Sequence, residues 1–239
     1  MSSTQTTADE VQQILSEYGK SDDPWDPDIE RLKNLISKVS VDERYKLLSS
    51  ITDSDGDTLL TTAARKGHTE LCVTLLSSLP SADRLKPILV DNYTVLHSAA
   101  WMGYKGTVSG ILNCLTADQQ LQLLFTQSIF GDTALHKAAQ RGNTETVRAL
   151  LENLTPEQQI QLLFTQNIDG NTALHVAARW GHAETAKTLL DNLTPEQQLK
   201  LLSAQNDQGM TASVTMRTLK HYQIEIDYRV NYRKFAIFT

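Results

Sequence analysis

Histidine and cysteine are the residues of this chain whose chemistry most readily serves a metal site or a nucleophile. There are six histidines and two cysteines among 239 residues. A zinc site needs several such ligands within about 2.3 Å of one ion. A cysteine nucleophile needs a neighbouring base or cation to hold it as the thiolate. Their spacing suits neither. His97, His136 and His175 recur at intervals of 39, so they fall on successive copies of one unit and not around one centre. Packed helices lie about 10 Å apart, too far for ligands on successive copies to share a zinc ion. His68 and His182 each follow a glycine, and His221 has no partner. Cys72 aligns with Val147, an apolar helix position where a thiol is inert. Cys114 aligns with Asn153 and Asn192, which suggests a more exposed site, yet no His, Lys or Arg beside it would activate the sulfur. There is no Gly-X-Ser-X-Gly elbow, no Gly-X-Gly-X-X-Gly fingerprint and no Walker-type loop. The acidic pairs Asp22/Asp23 and Asp53/Asp55 suit solvated turns better than a catalytic dyad. These residues point to no catalytic group, no metal and no cofactor.

The same spacing describes the elements that carry these residues. Four segments share one pattern: Gly56–Gly67, Tyr93–Gly103, Gly131–Gly142 and Gly170–Gly181. Their common threonines, Thr58, Thr94, Thr133 and Thr172, lie 36, 39 and 39 residues apart. Periods of that size mean a stack of supersecondary units. A turn leads to a threonine placed as N-cap. A short helix with paired alanines follows, and a glycine ends it in the left-handed conformation. The second helix carries Val147, Leu150, Leu151 and Leu154 at i, i+3, i+4, i+7 spacing. One such pair cannot bury its own apolar face, but stacked pairs can.

Thr-Ala-Leu-His-X-Ala-Ala-X-X-Gly followed by a leucine-rich helix resembles the ankyrin repeat. The resemblance covers residues 56 to 211, and residues 26 to 55 resemble the second half of a preceding repeat. It implies an all-α solenoid in which the recurring histidine hydrogen-bonds backbone across neighbouring turns. These repeats run to 36–39 residues, against about 33 in the family. The extra residues follow the second helix, as in Thr155-Pro-Glu-Gln-Gln-Ile-Gln-Leu-Leu-Phe164. Threonine, proline at the first helical position and Gln158 three residues on make a capping box. The expectation is therefore an extra short helix in each repeat, with short or distorted turn tips.

The ends depart from the pattern. Residues 1–25 are polar, with helical periodicity over Ala8–Tyr18, which leaves both a docked cap and a loose arm open. Residues 26–211 form the expected array of a half repeat and four repeats. Residues 212–239 form an irregular tail in which Tyr222–Tyr232 alternates apolar and polar residues as a strand would. The tail is either a divergent end or a strand for pairing with a partner's sheet.

With chemistry set aside, the surface remains. The net charge of −6 and the scattered basic residues argue against nucleic acid. No run approaches the ~18 apolar residues of a membrane span, and no signal peptide is apparent in the first 25 residues. Two cysteines are no disulfide framework, and free thiols fit a reducing compartment, here the cytoplasm with the nucleus open. Positions that recur with the repeat but change identity are free of the fold's demands. By the resemblance they line the concave face and turn tips, and the expected partner-binding residues are Tyr93, Ser98, Trp101, Met102, Phe130, Lys137, Gln140, Arg141, Val176, Arg179 and Trp180. Large aromatics and arginines dominate binding hot spots. Trp101 and Trp180 are expected at the surface, because Arg65 and Gln140 stand at the equivalents of the first, and Lys66 and Arg141 at those of the second. The expected function is that of a non-catalytic, monomeric scaffold binding another protein. The alternative is a recruiting or effector module for an enzyme supplied in trans.

Overall fold

Threonine opens each repeat because its hydroxyl and extended backbone meet the free N–H groups of a helix start. Thr58, Thr94, Thr133 and Thr172 are the N-caps of α4 (Leu59–Arg65), α6 (Val95–Met102), α9 (Ala134–Arg141) and α12 (Ala173–Arg179). Each first helix is followed by a second: α5 (Thr69–Ser77), α7 (Lys105–Asn113), α10 (Thr144–Leu151) and α13 (Ala183–Leu190). Before them come α1 (residues 9–14), α2 (Pro27–Lys38) and α3 (Val41–Ser50). The computed structural model describes residues 9–14, 27–53, 56–89, 93–191 and 193–212. Most of the N-terminal segment 1–25, and the tail beyond 212 with its strand-like alternation, lie outside the described residues.

The helices stack in two rows. First helices neighbour first helices, α4 on α6 on α9 on α12, and second helices follow suit, α2 on α5 on α7 on α10 on α13. The paired alanines (Ala63/Ala64, Ala99/Ala100, Ala138/Ala139, Ala177/Ala178) are almost fully buried in the first row. Their small side chains let helices on either side approach closely. Leu71, Leu75, Val108, Ile111, Val147, Leu150 and Leu189 fill the space between rows, and one apolar cluster runs from Val11 to Ala212. The fold is an all-α solenoid; among the described residues there is no strand, only isolated bridges at Thr52–Thr58 and Gln205–Thr211. α1 is docked: Val11 and Ile14 are buried, and Gln12 Nε2 donates to the Thr52 carbonyl at 2.7 Å.

The added residues form α8 (Ala117–Phe125), α11 (Pro156–Leu163) and α14 (Pro195–Ser203), each opened by a threonine–glutamine capping box. The following glutamine has a separate job. Gln120, Gln159 and Gln198 each donate from Nε2 to two carbonyls at the end of the preceding second helix, Leu112/Leu115, Leu151/Leu154 and Leu190/Leu193, at 2.9–3.3 Å. Leu112, Leu151 and Leu190 also accept from the backbone N–H three residues on, at 3.0–3.3 Å, whereas Leu115, Leu154 and Leu193 lie past the helix end, where carbonyls lack an intrahelical donor. α3 opens with the same device, Ser40 and Glu43.

The extra helix is not present in every repeat, which corrects the sequence expectation. In the repeat that opens at Thr58, its place is taken by a 3-10 turn, Ser81–Asp83, with Pro80 at the cap. That repeat is three residues shorter, and proline has no hydroxyl with which to start a capping box. Arg84 takes over the glutamine's task, donating to the Leu79 carbonyl at 3.1 Å and reaching the next repeat's Cys114 carbonyl at 2.9 Å. The turn tips are short but regular. In the tips before Thr58, Thr133 and Thr172 an N–H···O bond closes the loop: Asp53 N to Asp57 O at 2.9 Å, Ser128 N to Asp132 O at 2.8 Å and Asn167 N to Asn171 O at 2.9 Å.

Candidate functional site

The histidine ladder shows the division between fold and surface. Nδ1 of His97, His136 and His175 accepts from the backbone N–H of Thr94, Thr133 and Thr172 at 3.1–3.3 Å and lies 2.8–2.9 Å from their hydroxyls. Nδ1 is therefore unprotonated, and Nε2 carries the hydrogen. Nε2 donates to a carbonyl of the next turn tip: Asp132 at 2.8 Å, Asn171 at 3.0 Å and Met210 at 3.2 Å. Burial lowers all three imidazole pKa values, that of His97 to about 4. Both ring nitrogens are used, so no lone pair is left for a metal ion. Among the described residues no group of three or more His, Cys, Asp or Glu is placed to hold one.

The tips also stack on each other. Ile168 N donates to the Phe130 carbonyl at 3.2 Å and Asp207 N to the Asp169 carbonyl at 3.1 Å. Asn167 Nδ2 donates to Asp132 Oδ1 at 2.8 Å, and Asn206 Nδ2 to Asn171 Oδ1 at 2.9 Å. This needs glycine at Gly131, which has φ +71° and whose missing Cβ would lie 2.6 Å from Ile168 N.

One cluster sits on the first-helix row between α6 and α9. Lys137 Nζ donates to Asp132 Oδ2 at 2.8 Å, both side chains being largely buried. The same ammonium lies over the rings of Tyr93 at 5.6 Å, Trp101 at 5.9 Å and Phe130 at 6.0 Å. The Arg141 guanidinium stacks over Trp101 at 5.0 Å. Burial works against the Asp132 carboxylate, but the hydrogen bonds from Lys137 and Asn167 outweigh it and hold its pKa below the ordinary value. A buried ammonium tied to a carboxylate thus fixes three aromatic rings drawn from two repeats.

The expected surface residues divide accordingly. Tyr93, Met102, Phe130, Arg141, Arg179 and Trp180 are exposed, Trp180 most among the hydrophobic ones at 57%. Trp101, Gln140 and Val176 are half-buried. Ser98 and Lys137 are buried, Lys137 beneath the rings it orders. Tyr104 packs between repeats, its ring against Gly67. Cys114, expected to be more exposed, is buried instead, with Sγ 3.8 Å from Ser77 Oγ, because in this repeat the helix end is covered by Arg84. Burial pushes the Cys72 thiol up to about 12. Ile129 and Ile168, at equivalent tip positions, stand 69% and 62% exposed. Neither is among the partner-binding residues expected from the sequence. An isoleucine at the apex of a turn with no element to pack on is the signal that could have singled them out.

A family model described as ankyrin repeats (3 copies) matches residues 26–123 and 110–201. The chain belongs to the ankyrin-repeat family. Ankyrin repeats are, as a class, protein–protein interaction modules. No curated protein matches the chain. Among the described residues no helix is long and apolar enough to cross a membrane. In this ankyrin array the constant residues build the histidine ladder and the alanine seam, and the variable ones meet at the Lys137 cluster and along the helix ends.

Proposed function

We propose that this ankyrin array is a non-catalytic scaffold that binds another protein through the face made by its first helices and turn tips, with the Trp101 cluster and Trp180 as anchors. The observation that carries the reading is a division of labour among equivalent positions. Where the fold needs a residue, every repeat from Thr94 onward uses the same one: threonine, histidine, two alanines, glycine. Immediately beside these stand Trp101, Met102, Arg141, Arg179 and Trp180, whose positions change identity from repeat to repeat and all of which but Trp101 are exposed. Exposed aromatics held on a rigid stack lose little freedom on binding. The cation–π contacts on Trp101 lower that cost further by fixing the ring before a partner arrives. The partner is taken to be a protein and not a nucleic acid, since Lys137, Arg65 and Arg148 are tied to carboxylates and form no free phosphate track.

The test is an affinity pull-down with wild type beside a Trp101→Ala/Trp180→Ala double variant shown to be folded. The expected result is a small set of proteins recovered by wild type and lost by the variant. Equal recovery by both baits would mean that this face is not the binding surface.

A further inference from the structure

The chemistry of the partner segment can be taken further, resting on the face proposed above. The last residue before each helix-ending glycine forms a row along the stack, and three successive members are Met102, Arg141 and Trp180. All three are exposed. The row therefore reads apolar, cationic, apolar. Neighbouring helices of a stack lie about 10 Å apart, which a segment in the extended polyproline II conformation covers in about three residues at its rise of roughly 3.1 Å, with every third side chain returning to the same face.

The charge is equally defined. Aromatic rings beside a groove could in principle take a partner's lysine or arginine. Here the chain's own cations hold those sites: Lys137 lies over Tyr93, Trp101 and Phe130, and Arg141 over Trp101. An incoming cation would have to displace an ammonium that is also paired with Asp132 at 2.8 Å, and would meet Arg141 and Arg179 beside it. Among the described residues neither arginine is in an ion pair, and both end first helices at the C-terminal turn. Asp132 and Asp169 belong to the turn tips at the other end of the same helices, and Glu145, at the start of the second helix that follows Arg141, is paired with Lys105 and Arg148.

We infer that the occupant of this row is an extended segment of another protein in which one Asp or Glu is flanked by apolar side chains about three residues away on either side. The carboxylate meets Arg141, with Arg179 near it, and the apolar side chains cover Met102 and Trp180. Charge complementarity sets the middle position and the repeat spacing sets the interval.

Panning a random twelve-residue phage-displayed peptide library on the full chain tests this. The expected result is enrichment of sequences with an acid between two apolar residues at that interval. A synthetic peptide of the enriched sequence, labelled for fluorescence anisotropy, should bind at least tenfold more weakly to Arg141→Glu and to Trp180→Ala. Its acid→Gln variant should lose a similar factor on wild type. Panning on Arg141→Glu should select Lys or Arg at the middle position. Thermal melts of both variants, which alter exposed side chains, control for folding. Enriched peptides that need Trp101 or Trp180 but carry no acid, or whose affinity changes less than twofold in Arg141→Glu, overturn this inference and leave the proposed face standing. Binders indifferent to both tryptophans, or a library that yields no binder, overturn both. Displacement of the bound peptide by a synthetic peptide of residues 213–239, or concentration-dependent self-association lost in Trp180→Ala, would assign the row to this chain itself and likewise sink the inference.

Discussion

Hydroxyl pairs between repeats show how much one residue's neighbours decide. Thr69 and Thr107 hydroxyls lie 2.7 Å apart, and Thr144 and Thr185 hydroxyls 2.8 Å apart, each pair joining successive second helices. Thr146 is the equivalent of Thr107 and Thr185, but Lys105 stands where its partner would be, and its hydroxyl is buried without a hydrogen bond. A buried hydroxyl with no partner costs stability, whereas its replacement by a methyl of like shape does not. Thr146→Val is therefore expected to leave the thermal midpoint unchanged or raise it, while Thr185→Val, which removes the 2.8 Å bond and leaves the Thr144 hydroxyl only its 3.5 Å contact with the Gly142 carbonyl, lowers stability by about 1 kcal/mol. Denaturant titrations of the two variants check the sign as well as the size. Lys137 is the second case. Removing one member of a buried ion pair leaves the other uncompensated, so Lys137→Ala is expected to cost about 3 kcal/mol. It should also change the fluorescence of Trp101, whose ring loses one of its cations. A melt within error of wild type would show that the cluster does not hold its rings in this way.

At the level of the element, the added helices matter because they close helix ends. Gln159 satisfies the carbonyls of Leu151 and Leu154 at the end of α10. Gln159→Ala leaves the Leu154 carbonyl to whatever water reaches it, while the Leu151 carbonyl keeps the Leu154 N–H at 3.3 Å, and is expected to destabilise by about 1 kcal/mol. Gln161→Ala, on the same helix but exposed, should cost much less, and equal losses would show that the effect is one of helix propensity alone. Glycine at the end of α9 is fixed by two independent demands. Gly142 has φ +71°, and a Cβ there would lie 2.5 Å from His182 Nδ1. The His182 ring is itself held by a hydrogen bond to the Gln140 carbonyl at 3.0 Å. Gly142→Ala should therefore cost about 2 kcal/mol or more, combining backbone strain with displacement of that ring. A calorimetric melt would check it.

For the molecule as a whole, the ladder makes stability depend on pH. The three imidazoles are neutral in the folded chain, with pKa values lowered by burial, to about 4 for His97. In the unfolded chain they titrate near 6.5. Between those values the unfolded state binds protons that the folded state refuses, so stability is full above about pH 6.5 and falls as the pH drops towards 4. His97 alone accounts for about 3 kcal/mol of that loss by pH 4. The carboxylate of Asp132, whose pKa is lowered in the folded chain, contributes mainly at the acid end, its stabilisation being lost as the pH falls from the unfolded carboxylate value of about 4 through the lowered folded one. Melts at pH 7.5, 6, 5 and 4 should show a steady fall, and an unchanged midpoint at pH 5 would contradict neutral, buried imidazoles. Because each repeat contacts only its neighbours, the loss should spread along the stack.

Periodicity and capping residues determined the helix pairs, their order and the added helices after Thr116, Thr155 and Thr194, and the resemblance to the ankyrin repeat implied the structural role of His97, His136 and His175. These are local matters: a cap, an apolar stripe and a glycine act within a few residues, and repetition multiplies the signal. It did not show that the repeat opening at Thr58 lacks its added helix, because the loss of a capping hydroxyl at Pro80 is offset by Arg84 reaching into the next repeat. Nor did it show that Lys137, taken for a surface residue, lies buried beneath Tyr93, Trp101 and Phe130, or that Cys114 is covered. Lys137 stands 44 residues from Tyr93 and 36 from Trp101. A contact of that kind depends on how one repeat is seated against the next, and side chains brought together only by stacking leave no period in the sequence.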